Sequence, residues 1–213
     1  MTGLPAEQRP GATVPTGGRL ADGVLVMVRP VEPADKALLA SAFDELSDES
    51  RYRRFFTSLR ELSPAQLAYL TEVDHHDHEA LLAIEPSSGA CVGVARFVRI
   101  APQVAEPAIV VSDGWQRLGL GSALLDALAT RACAEGITRF SATVLAENAD
   151  AIRLLERLGA TAASESGPEL RFDVALPDGG GAGRTLRELL SIAAAGLLTP
   201  ARVLLQRMTA GDE

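Results

Sequence analysis

Apolar positions along this chain change their period several times, and each change marks an element. Val24–Arg29 is a β-branched run that predicts a first strand, closed by Pro30–Pro33. Asp35–Leu46 switches to helical spacing, with Leu38, Leu39, Ala42, Phe43 and Leu46 along one side. Ser47 is a good N-cap for a helix over Asp48–Leu59, and Ser63-Pro64 caps a third that runs to about Thr71. Glu79–Glu85 and Cys91–Ile100 read as strands around a turn at Pro86–Gly89, with apolar residues at Val92, Val94 and Phe97. Pro102–Ala105 connects them to a strand over Glu106–Ser112.

Ser122–Gly136 is a helix that buries Leu124, Leu125, Leu128 and Ala132 and ends at a glycine. A strand over Arg139–Ala146, a helix over Asn148–Leu158 and a last strand over Leu170–Leu176 complete a domain spanning 24–176. The flanks differ. Residues 1–23, rich in Gly, Pro, Thr and Ala, read as a flexible tail, and the glycines of 177–183 as a flexible linker. Within 184–213, Arg184–Leu198 and Thr199–Met208 predict two helices with a broad apolar face, including Leu186, Leu189, Leu190, Leu197 and Leu198. That face needs cover from the domain, a partner or a second copy, so a homodimer through these helices is one expectation.

Composition narrows the function classes. An apolar share of 47% over 213 residues excludes general disorder. A net charge of −8 argues against nucleic acid as the main partner. No run approaches a membrane span and no signal peptide opens the chain, so no membrane and a cytoplasmic location are expected. Cys91 and Cys133, far apart in a strand and a helix, read as reduced thiols.

The stretch Val110–Ala123 carries the chemistry. It reads as the end of a buried strand, a tight basic glycine loop and the first turn of a helix. Gly119 and Gly121 allow close backbone approach, and the helix start adds partial positive charge, which makes an anion site. A P-loop would need Lys-Ser/Thr after four intervening residues, and a Rossmann fingerprint a third glycine after the first strand; both are missing. An ordinary strand–turn–helix junction shares the same features.

Further residues carry a resemblance. Gln116-x-x-Gly119-x-Gly121 resembles the Q/R-x-x-G-x-G/A signature with which the GCN5-related N-acetyltransferase (GNAT) family cradles the pyrophosphate of acetyl-CoA. Leu46–Phe56 is similar to the "LS-x-ES-RY-x-RFF" stretch of a bacterial branch that includes the Pat-type protein lysine acetyltransferases. Val73–Ala83, with an aspartate, a polar stretch and a histidine before Ala-Leu-x-Ala, is similar to the same branch. The element order matches that fold over 24–176. The resemblance implies an α/β fold of the α+β kind: a mixed central sheet flanked by helices, here with a C-terminal helical extension.

The resemblance also implies acetyl transfer to a primary amine, with acetyl-CoA as co-substrate and no metal. The pyrophosphate would meet Gln116, Arg117, Leu118, Gly119, Leu120, Gly121, Ser122 and Ala123. Backbone groups of Val110 and Val111, on a splayed strand, would hold the pantetheine arm, with Asn148 near it. Glu106 is the preferred general base, sharing a strand face with Ala108 and Val110; a solvated strand-end carboxylate is the competing view. Leu155 stands where many relatives have a tyrosine acid, so direct attack with solvent quenching the thiolate is implied. Arg51, Arg54 and His78 are candidates for the acceptor groove, against the plainer view of solvated arginines and a polar turn at Asp74–His78. The spacing of His75, His76 and His78 suits no common zinc motif. A small-molecule amine acetyltransferase and a non-catalytic acyl-CoA-binding regulatory module are the alternatives.

Overall fold

The computed structural model describes residues 16–19, 25–46, 61–146, 149, 152–153, 156, 160–166 and 169–177. The expected helix over 48–59 with Arg51 and Arg54, Asn148 with most of its helix, and the segment 184–213 lie outside the described residues.

Eight strands form one sheet: β1 (Thr16–Arg19), β2 (Leu25–Pro30), β3 (His78–Ile84), β4 (Cys91–Ala101), β5 (Val104–Val111), β6 (Arg139–Leu145), β7 (Thr161–Ser166) and β8 (Glu169–Ala175). Their order is β1-β2-β3-β4-β5-β6-β8-β7, and every neighbouring pair is antiparallel except β5 and β6. The helices described are α1 (Lys36–Asp44), α2 (Pro64–Thr71) and α3 (Leu120–Ala134).

Local chemistry explains the boundaries. Ser63 caps α2 reciprocally: its hydroxyl accepts from Gln66 N–H at 3.2 Å while its own N–H donates to Gln66 Oε1 at 2.9 Å. Gly136 ends α3 at φ 75°, where Ile137 N–H donates to Ala132 C=O and Gly136 N–H to Cys133 C=O. That is the Schellman pattern, which satisfies the last carbonyls of a helix.

Helices cover both faces of the sheet. Leu120, Leu124, Leu125 and Leu128 of α3 pack with Leu81, Val92, Ala95 and Phe97, and Phe140, Phe172 and Val174 extend that layer. On the other face Leu39 and Phe43 of α1 and Leu70 of α2 meet Leu82, Val98 and Ala108. β4 is therefore buried on both sides, which is why its sequence is an almost unbroken apolar run.

Two strands depart from the sequence reading. Thr16–Arg19, assigned to the flexible tail, pairs with Leu25–Val28 through its main chain. Its Thr-Gly-Gly-Arg sequence offers no alternation to betray a strand. β7 is likewise polar, and it exists because β8 offers it an edge. β5 also starts at Val104 rather than Glu106, because the turn needs only Pro102 and Gln103.

Candidate functional site

β5 and β6 pair at only two positions, Val104 with Arg139 and Ala105 with Phe140, although both strands run on. Beyond Ala105 they part, and one edge of β5 faces a gap. Which groups face it follows from parity. Ser112 N–H donates to Val92 C=O at 3.0 Å, and Val110 lies opposite Val94, Ala108 opposite Arg96 and Glu106 opposite Val98. Those residues turn their main chain to β4, so Ile109 and Val111 turn theirs to the gap. Of the two sequence-predicted residues, Val111 has its main chain at the gap, whereas Val110 bonds to β4. Ile109 takes the second position. Sequence reasoning counted from the strand end and had no means of fixing this parity.

The loop after β5 is fastened by Gln116, whose side-chain amide donates to Val111 C=O at 3.2 Å and to Asp113 Oδ1 at 2.8 Å. Arg117 (φ 63°) and Gly119 (φ 89°) are both left-handed, which brings the chain round sharply into α3. Leu118 and Leu120 pack inward and Arg117 is exposed. No side chain caps α3. The N–H groups of Gly119, Leu120, Gly121 and Ser122 thus lie before the first intrahelical bond, which Ala123 N–H makes to Gly119 C=O at 3.1 Å. Ala123, expected among the anion donors, spends its N–H there.

On the α1/α2 face lies a largely apolar cleft lined by Phe43, Leu70, Val94, Arg96, Val110 and Ser112 among others. Deeper along the same face, His78, Val98 and Glu106 form a row across β3, β4 and β5. Glu106 is buried, at 8% exposure. Arg96 is buried beside this row, with Nη1 at 3.2 Å from His78 Nε2 and Nη2 donating to Leu70 C=O at 3.4 Å. The Tyr69 ring lies 4.9 Å from that of His78. Sequence reasoning named Glu106 and His78 but passed over Arg96 and Tyr69. A charged residue between Ala95 and Phe97, inside a run buried on both faces, was the available signal for Arg96.

The other histidines are absorbed by structure. Asp74 Oδ1 accepts from the N–H groups of His76, Asp77 and His78 at 2.8–2.9 Å. Burial raises the Asp74 carboxyl, but those donors outweigh it and leave its pKa below the ordinary value. His75 Nδ1 lies 2.7 Å from Glu79 Oε1, Arg131 Nε donates to Glu79 Oε2 at 3.0 Å, and His76 Nδ1 meets Glu135. The turn into β3 is thereby tied to the end of α3. Among the described residues no cluster of His, Cys, Asp or Glu is placed to hold a metal, and no helix is long and apolar enough to cross a membrane.

Known proteins resemble this chain in sequence and in fold. The Pat acetyltransferase of Mycolicibacterium smegmatis is 38% identical over 158 residues, covering 73% of this chain and 47% of the relative. Acetyltransferase PA5475 of Pseudomonas aeruginosa is 30% identical over 109 residues, or 50% of this chain and 59% of that one. The chain therefore spans about half the length of the curated relatives it matches. The crystal structure of the GNAT domain of S. lividans PAT superposes with a TM-score of 0.64 at 31% identity, covering 76% of this chain and 97% of that domain. Residues 39–160 match the model of the acetyltransferase (GNAT) family, and the chain belongs to that family.

Proposed function

We propose that the chain moves an acetyl group from acetyl-CoA to a primary amine, foremost a protein lysine, by direct attack with Glu106 as general base. The observation that carries this reading is the parting of β5 from β6 after Ala105, with the uncapped start of α3 beyond it. An extended thioester in that gap finds main-chain partners at Ile109 and Val111. Its diphosphate meets the N–H groups of Gly119, Leu120, Gly121 and Ser122, with Arg117 exposed beside them.

A lysine amine titrates near ~10.4, so it arrives protonated at neutral pH. Glu106 takes the proton, the amine nitrogen attacks the thioester carbonyl, and the C–S bond breaks as the tetrahedral intermediate collapses. The nitrogen gives its second proton to solvent as the amide forms, and the thiolate takes one from solvent, because Leu155 offers none. The cytoplasm, with its acetyl-CoA, suits this chemistry.

Glu106→Gln lowers kcat on a lysine peptide by about 100-fold or more while coenzyme A still binds. Unchanged turnover removes Glu106 from this role. Turnover of small amines but of no lysine peptide assigns the acceptor to the small-molecule class. No binding of coenzyme A by calorimetry on folded protein overturns the whole reading.

A further inference from the structure

We propose that Arg96 is a positioning residue of the transfer site, holding His78 as the neutral Nδ1–H imidazole and setting a fixed positive charge beside the Glu106 carboxylate. The second half of this rests on Glu106 being the base.

Arg96 is 3% exposed and is the one buried arginine or lysine among the described residues. A cation in so apolar a layer is costly unless it is hydrogen-bonded and answered by opposite charge. A guanidinium has donors only, so the 3.2 Å contact from Nη1 makes His78 Nε2 the acceptor. The ring proton then sits on Nδ1. Protonating Nε2 would remove that acceptor and set two cations against each other, so the contact favours the neutral ring, against the pull of the nearby Asp74 carboxylate.

The register supplies the second half. Arg96 lies opposite Ala80 on one side and Ala108 on the other, so small neighbours flank it. Glu106, two residues before Ala108 on the same face, is its diagonal neighbour, at a backbone separation of roughly 7–8 Å that two long side chains span. A carboxyl acts as a base only while ionised, and a cation beside it favours that form. Among the described residues, Arg96 from β4, His78 from β3 and Tyr69 from α2 are titratable or charged groups on this face near it. With His78 neutral, Arg96 is the member that favours the ionised carboxylate.

The test is kcat/KM against pH for the full chain, with acetyl-CoA and a lysine peptide, in wild type, Arg96→Lys, Arg96→Gln and Glu106→Gln. Arg96→Gln moves the acid limb up by about one to three pH units, with activity recovering at alkaline pH, and Arg96→Lys largely keeps the limb. A uniform loss in Arg96→Gln with the limb in place overturns the proposal, since a merely structural arginine would give that. Glu106→Gln abolishes the limb; if it does not, the base reading falls, and the charge half of this proposal falls with it. Imidazole ¹⁵N spectra of the wild type test the other half. His78, assigned by its loss in His78→Gln, shows a protonated Nδ1, a bare Nε2 and no titration between about pH 5 and 8. A protonated Nε2, or titration near ~6.5, overturns it.

Discussion

Gly93 has no functional group, yet adding one methyl there reaches the proposed cofactor site. An alanine Cβ would stand 2.9 Å from Leu124 Cδ1, 3.2 Å from Val110 C=O and 3.4 Å from Leu120 Cδ2. Carbon atoms pack best at about 3.5–4.0 Å, so the Leu124 contact is short by about 0.6 Å or more. Leu124 is fully buried among Leu120, Leu125 and Leu128 and has little room to swing. Relief then comes from lifting the first turns of α3 and pressing on the β5 main chain at Val110. Overpacking of this kind costs about 1–3 kcal/mol, less about 0.4–1 kcal/mol gained because alanine restricts the unfolded chain. A net loss of about 1–2 kcal/mol lowers Tm by roughly 2–8 °C for a domain of this size. Because the lifted turns carry Gly119–Ser122, coenzyme A affinity falls about three- to tenfold, where tenfold is about 1.4 kcal/mol.

The assay pairs thermal melts with calorimetric titration of coenzyme A. Gly114→Ala, in the same loop but with nothing within 4 Å of its Cβ, is the control and leaves both unchanged. Gly93→Ala combined with Leu124→Val returns part of the affinity, which a double-mutant cycle isolates as coupling. A Gly93→Ala protein that melts lower but binds coenzyme A normally refutes the link between this packing point and the loop. One that matches wild type in both refutes the steric argument altogether.

Three further expectations follow from separate parts of the chain. Asp35 takes a bidentate bond from Arg29 at 2.6 and 2.7 Å; that bond, helped by Glu32 N–H, outweighs burial and lowers its pKa. Its stabilising contribution is thus present above the unfolded carboxylate value near ~3.9 and is lost as pH falls through the lower folded value. Asp35→Asn costs about 1–3 kcal/mol at pH 7 and little at pH 2 by urea unfolding, and an equal cost at both would contradict this. Burial pushes the Cys91 thiol up to about 11, so a thiol reagent at pH 8 labels half-buried Cys133 first and Cys91 only on unfolding; equal rates would contradict it. The apolar pattern of 184–213 predicts that deleting it promotes aggregation, read by light scattering; a monodisperse, equally stable product would show the segment to be dispensable.

How much of this was legible in the sequence depended on the range of the forces involved. Short-range signals read well. The Ser63-Pro64 cap, the helical face of Leu39 and Phe43, and Gly136 at the end of α3 each act within a few residues. The glycine loop was legible because its backbone demand is written in the residue type. The two polar strands were not, because β1 and β7 exist through main-chain bonds to edges supplied by β2 and β8. Nor was the parity of β5, which is set by the Ser112–Val92 bond across to another strand. Arg96 was hidden for the same reason. Its surroundings appear only once His78, eighteen residues earlier, and Glu106, ten later, are brought to one face.

β4 shows why register matters more here than any one side chain. Its residues alternate between faces, so Gly93 lies toward α3 while Arg96 lies toward α1 and α2. One position is empty because Leu120 and Leu124 of α3 pack directly against it. The other carries the buried guanidinium that meets His78 Nε2 and Leu70 C=O. The two demands are three residues apart and of opposite parity. Slipping β4 by one residue would turn each to the opposite face, driving the guanidinium into the α3 layer and away from His78. The pairing of Gly93 with Val111 and Arg96 with Ala108 therefore fixes both positions at once, one on each face of the same strand.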